Sequence, residues 1–316
     1  MSSRAAKRRP PVVILSEAKR RPPVVILSAA KDLLFPERHQ RADVSTTMWQ
    51  RLIVVAFMFT LASRAGAQAA PATAPAAVHD TTVHRLTLDA TKLQPVQSAY
   101  RLLMVRDTVS TPIGEQQFGV TTMDYAGTPA FMLARVGTQG VTSISDSLVV
   151  RRDDLRPLHW IASQGVAHVA VEFTPDSIYD AMTSPLGKQN VVLPNRGDVL
   201  VSTMGVDAIM AAVPLAASWR DSASVLLLDS GGAVLTPVTL AVEGEEHVTV
   251  PAGDFDCWIV GVETERASER LWVTKQGQIV VRAEQLLPEL DAAVLSRVLI
   301  RTDSPLLVPA SARLPQ

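Results

Sequence analysis

Histidines and carboxylates that can meet across one turn are the first place to look for chemistry in this chain. His159 and His168 flank Gln164-Gly165, and Glu172 lies four residues beyond His168. Folded as a hairpin, the three would offer two imidazole nitrogens and a carboxylate, a ligand set suited to a divalent transition metal. The same residue types also suit the wet face of a sheet, and that reading is preferred, so no metal is expected. Asp153 and Asp154, between Arg152 and Arg156, could act as a carboxylate pair, but in a polar turn such a run makes local ion pairs. Cys257 would be a nucleophile only beside a base in an electropositive setting. It stands instead among Phe255, Trp258 and Ile259, on a stretch apolar on both faces, and reads as a buried, inert thiol.

In residues 68–316 the established catalytic patterns are missing: no G-x-S-x-G, H-E-x-x-H, S-x-x-K or P-loop, and no G-x-G-x-x-G after a strand. His79, His84, His159, His168 and His247 show no i, i+2 or i+4 spacing. The expectation is a non-enzyme with no catalytic residue and no cofactor. A hydrolase with a site dispersed over several strands is the least favoured alternative.

Charge narrows the partners. Residues 1–67 hold 12 of the 30 Lys and Arg but 4 of the 31 Asp and Glu, which leaves 18 basic and 27 acidic groups in the remainder. That acidic body has three lysines, Lys92, Lys188 and Lys275, and is a poor match for phosphate backbones. Nucleic acid is not an expected partner.

From Met48 the text MWQRLIVVAFMFTLASRAGAQ sets Arg51 before an apolar run, Leu52 to Ala62, followed by Ala65-Gly66-Ala67. This is the layout of a secretory signal peptide over 48–67, with cleavage after Ala67. The run is short for a bilayer span, which needs about 20 residues, so no stable transmembrane anchor is expected after cleavage. The protein is therefore read as exported, to a bacterial periplasm or beyond. Residues 8–31, RRPPVVILSEAKRRPPVVILSAAK, repeat one unit with a single change, Glu17 to Ala29. The stretch 8–35 resembles a translated intergenic repeat, and 1–47 is read as a spurious or disordered leader. Cys257 is the sole cysteine, so no intramolecular disulfide can form and the core must hold the fold.

Residues 68–80 are rich in Ala and Pro and read as a linker. Strand signals then dominate a single β domain over 81–303, followed by a tail, 304–316. VHRLTLDA (83–90), AYRLLMVRD (99–107), QFGVTTMDY (117–125), AFMLARVG (130–137) and TSISDSLVVRR (142–152) are short, rich in β-branched or aromatic residues, and bounded by turn formers. Residues 157–183 predict three strands joined at Gln164-Gly165 and Pro175-Asp176, with Val169, Val171 and Phe173 alternating onto one face. A further meander follows, with turns at 229–232, Glu243-Gly244-Glu245 and Pro251-Ala252-Gly253, and a hairpin over Lys275-Gln276-Gly277. One short helix is expected over 206–215; residues 287–301 fit either period, with strand preferred. The fold class is all-β, mainly antiparallel: a strongly curved sheet or partly open barrel.

The densest pattern is Val248, Val250, Pro251, Ala252, Gly253, Phe255, Cys257 and Trp258, then Trp272, Val273, Gly277, Val281 and Arg282. It resembles the signature of a family of exported bacterial β domains of unknown function. The resemblance implies a curved sheet or incomplete barrel like the periplasmic carriers of lipoproteins and lipids, and implies no catalytic residue. Pro251, Gly253, Phe255, Cys257, Trp258, Trp272, Gly277 and Arg282 are read as structural. Strands apolar on both faces suggest a lined interior. The favoured function is a noncatalytic envelope protein holding an apolar or lipid-like ligand on a concave β surface. The alternative is an assembly role in which an envelope protein docks at an edge strand.

Overall fold

In the computed structural model, residues 86–304 are described, except 186, 197–198 and 230–231. The leader, signal-peptide and linker expectations lie outside these residues. The chain enters as an extended segment and a short 3-10 turn, Ala90–Lys92, which Asp89 caps by accepting from the Thr91 N–H. It then runs through eight strands in sequence: β1 (Val96–Arg106), β2 (Val109–Tyr125), β3 (Thr128–Gln139), β4 (Thr142–Arg151), β5 (Pro157–Gln164), β6 (Ala167–Phe173), β7 (Ser177–Ser184) and β8 (Gly187–Pro194). After β9 (Val199–Val201) comes helix α1 (Ser202–Met210), followed by β10 (Arg220–Asp229), β11 (Gly232–Val250), β12 (Gly253–Thr264), β13 (Ser268–Thr274), β14 (Val280–Leu287) and β15 (Ala293–Thr302).

All fifteen strands form one sheet, in the order β8 to β1, then β15 down to β9. Every pairing is antiparallel except β9 with β10. Two meanders are thus joined where the last strand returns beside the first, Ser98 opposite Thr302. The sheet curls: β11 packs on β7 and β8, and β9 on β5. At that seam the Asp180 carboxylate of β7 accepts a 2.9 Å hydrogen bond from the Ala233 N–H of β11. The architecture is the expected all-β, strongly curved sheet with one short helix.

Alternation builds the walls. In β6, Ala167, Val169, Val171 and Phe173 are buried while His168, Ala170 and Glu172 are exposed. Helix α1 is apolar almost all round, as a buried helix should be. It joins two core clusters, giving Met204 and Ala208 to one and Val206, Ile209 and Met210 to the other. Among the described residues no helix is long and apolar enough to cross a membrane.

Three local expectations need correction. Glu243-Gly244-Glu245 is no turn: β11 runs straight through it with a bulge between Val242 and Gly244, where both neighbouring residues keep their partners on β12. The helix lies four residues earlier than expected at its start and ends at Met210, because Pro214 cannot continue it. Residues 86–90 of the expected first strand are not a strand. Leu86 is buried, but the Asp89 N–H bonds to the Ala212 carbonyl beyond α1 rather than to a ladder. The ambiguous 287–301 stretch resolves into a 3-10 turn, Pro288–Leu290, and β15.

Candidate functional site

The residues singled out for chemistry are only partly brought together. The two-residue turn after β5 sets Gln164 opposite Ala167, so His159 faces Glu172 and Ser163 faces His168. His159 Nδ1 lies 2.8 Å from Glu172 Oε1 and its ring stacks on Tyr125, whereas His168 Nδ1 pairs with Ser163 Oγ at 2.9 Å. Four residues of strand, roughly 13 Å, separate His159 from the level of His168. Among the described residues no group of three His, Cys, Asp or Glu could hold a metal ion. Asp153 and Asp154 lie in the turn after β4 and pair with Arg151 and Arg156.

The signature residues are framework. Gly253 (φ +135°) and Gly277 (φ +84°) occupy backbone conformations that side chains rarely adopt, each at a hairpin end. Pro251 is exposed at the first of these turns, and Phe255 is buried on the strand that follows. Cys257 is wholly buried, and burial, with Asp256 and Glu246 nearby, pushes its thiol up to about 12. Lys275 lies 4.4 Å over the Trp258 ring. Trp272 is buried, donates from Nε1 to Glu246 at 2.7 Å, and carries the Arg282 guanidinium 4.4 Å above its ring. Arg282 also bonds Glu284 at 2.9 Å through Nε. None of these residues lines the cavity described next.

The concave side of the sheet encloses a cavity of about 310 Å³. Its wall is mainly apolar, with Leu102, Trp160, Val206, Val225, Val238 and Val262 among the contributors. It opens where exposed Gly140, Val141 and Glu289 form part of the wall. Further inside that mouth stands a polar belt: Gln116 on β2, Arg135 on β3, Asp146 on β4, Glu269 on β13, Gln285 on β14 and Arg297 on β15.

Each charge in the belt has a specific setting. Arg135 and Asp146 face each other directly across β3 and β4, joined by a 2.8 Å bond from Arg135 Nε to Asp146 Oδ2. Arg297 grips Asp207 of α1 with both Nη atoms, at 2.5 and 2.8 Å, and lies 4.9 Å over the Tyr100 ring. Burial disfavours the Arg297 charge, but the charge and hydrogen bonds of Asp207 more than compensate and hold it firmly protonated. Burial pushes the Tyr100 phenol up to about 12, and its hydroxyl donates to the Val280 carbonyl at 3.0 Å.

Glu269 differs from these groups. Among the described residues none donates a hydrogen bond to its carboxyl. Desolvation lifts it to about 7; Arg297 and Arg135 pull the other way, while Asp207 reinforces the rise. It therefore lines the cavity as a carboxylic acid in mildly acidic conditions and is about half ionised at neutrality. Sequence reasoning missed the whole belt. The available signal was a charge set between apolar residues two positions away on either side, as in Leu295-Ser296-Arg297-Val298-Leu299 and Ile144-Ser145-Asp146-Ser147-Leu148.

Residues 99–288 match a family described as protein of unknown function (DUF3108). This match extends far upstream of the turn-and-hairpin signature. The chain is similar to the β-barrel-like protein of domain of unknown function DUF1849 from Brucella abortus, with 10% identity, 69% of this chain and 98% of that chain covered, and a TM-score of 0.46. It is also similar to a "putative lipoprotein" from Parabacteroides distasonis, with 12% identity, 67% and 96% covered, and a TM-score of 0.27. No curated protein matches it.

Proposed function

The chain belongs to the DUF3108 family of proteins of unknown function, and for this member we propose a noncatalytic role in the bacterial cell envelope, holding an apolar or lipid-like molecule inside its curled sheet. The observation that carries this reading is the apolar-walled cavity of about 310 Å³, at the lower end of the 300–1,000 Å³ common for small-molecule sites. The signal-like segment at 48–67 supports the envelope setting. A wall drawn from β1 to β5 and β10 to β15 suits passive holding, since it is preformed and needs no closure.

The test is direct. Protein purified from the envelope of its own host should release an apolar small molecule on organic extraction and show the corresponding mass increment by native mass spectrometry. After stripping, it should enhance the fluorescence of N-phenylnaphthylamine. A stripped protein that leaves the probe dark and an extract free of ligand would sink the proposal.

A further inference from the structure

The polar belt narrows the ligand. We propose that the cavity selects an amphiphile whose polar group is uncharged and offers a hydrogen-bond acceptor, such as an ester, carbonyl or hydroxyl oxygen, and that Glu269 is the donor that reads it. This rests on the ligand-holding reading above and specifies the chemistry of the same site.

Two observations carry it. First, the ionised side chains are already neutralised in pairs, Arg135 by Asp146 and Arg297 by Asp207. An anionic head would lose its hydration without finding a free cation, and a cationic head would meet, at Glu269, a carboxyl that must first give up its proton in a low-dielectric interior. Second, two groups in the wall that have no hydrogen-bond partner among the described residues can donate. The Glu269 carboxyl receives no hydrogen bond from the described residues and, lifted to about 7 by burial, keeps its proton in mildly acidic conditions. Trp160, 97% buried and part of the same wall, has an Nε1–H without a partner. Buried donors are nearly always satisfied, and an acceptor oxygen on the ligand would satisfy these.

Protonation of Glu269 then couples binding to pH. The charged groups acting on it are Arg297 from β15, Asp207 from α1 and Arg135 from β3, with Asp146 of β4 behind Arg135. Above about 7 the carboxyl ionises, ceases to donate and meets the acceptor with like-signed charge density. If the protonated form alone binds, apparent affinity scales with its population and falls roughly tenfold between about pH 6 and about pH 8.

The experiment compares methyl laurate, laurate and laurylamine as displacers of N-phenylnaphthylamine from the full chain, at both pH values, for the wild type and Glu269→Gln. Methyl laurate should bind on the order of tenfold tighter than either charged analogue at the lower pH, and weaken about tenfold at the higher. Glu269→Gln keeps an uncharged donor, so it should retain binding and lose the pH dependence. Equal affinity for the three heads, preference for a charged head, or a pH-independent wild type overturns the head-group inference and leaves chain binding standing. Failure of all three to displace the probe, or of the probe to bind, overturns the ligand-holding reading with it. The head-group series on wild type decides the matter even if the variant does not fold.

Discussion

Glu269 should make the stripped protein lose stability as the pH rises from about 4.5 to about 7. Its carboxyl has the ordinary value of 4.5 in an unfolded chain and about 7 in the fold, because burial disfavours its charge. Between those values the native state binds the extra proton, so the unfolded state becomes relatively more favourable as pH increases. The contribution is fully present below about 4.5 and gone above about 7. A shift of that size corresponds to at most about 3 kcal/mol at 1.36 kcal/mol per unit, an upper bound because the cavity mouth admits water. The assay is urea denaturation of stripped protein at a series of pH values, with Glu269→Gln as the reference that cannot ionise. Wild type and variant should be nearly equal in acid, and the variant should gain on wild type up to about pH 8. Asp180 is also raised by burial and bends both curves the same way, so the difference between them isolates Glu269. Parallel curves across the range would refute the reasoning, because they would mean the carboxyl ionises as freely in the fold as outside it.

The remaining predictions concern buried partners. Asp207→Leu should cost about 3–5 kcal/mol, since it strands the Arg297 charge, and adding Arg297→Met should recover much of that loss; a double-mutant cycle in urea checks it. Cys257 should resist a soluble thiol reagent in the native state and react at the rate of global unfolding, given its complete burial and raised thiol; rapid native labelling would contradict this placement. Trp272→Phe should destabilise by about 1 kcal/mol, through lost buried ring area and the lost hydrogen bond to the exposed Glu246, and Glu246→Gln in the same background should couple to it only weakly.

Much of the fold was legible because strand period and turn chemistry are local. Val169, Val171 and Phe173 showed their common face directly, and the hairpin ends at Gly253 and Gly277 followed from residues that tolerate positive φ. The errors are local as well. A bulge in a continuous strand and a hairpin turn share one composition, so Glu243-Gly244-Glu245 was read as a turn, although paired neighbours on β12 keep β11 extended. Residues 86–90 alternate like a strand, but the Asp89 N–H bonds to the Ala212 carbonyl beyond α1 instead of to a ladder, and alternation alone cannot tell the two apart. The preferred reading of His159 and His168 as a solvated pair holds for His168 but not for His159, which is buried. A two-residue turn at Gly165-Val166 fixes Gln164 opposite Ala167 and therefore His159 opposite Glu172.

The cavity belt was illegible for a different reason: its members come from strands separated by more than a hundred residues and meet only because β15 returns beside β1. Each charge alone looks like a surface residue that strayed into an apolar run. Assembled, they pose an energetic question. A well-packed apolar belt would stabilise a β interior at least as well as two buried ion pairs, whose desolvation commonly cancels their attraction. Glu269 is the sharpest instance, since it has no hydrogen bond among the described residues and its ionisation works against the fold. Stability therefore does not account for a carboxyl at that position; the proposed ligand would, because an oxygen accepting its hydrogen bond would turn an uncompensated polar group into a satisfied one. Gln116, Asp146 and Arg297 are buried polar residues that share one cavity wall with Glu269, and under the proposed ligand-holding role Glu269, rather than the signature tryptophans or the histidines, is the residue on which ligand choice would turn.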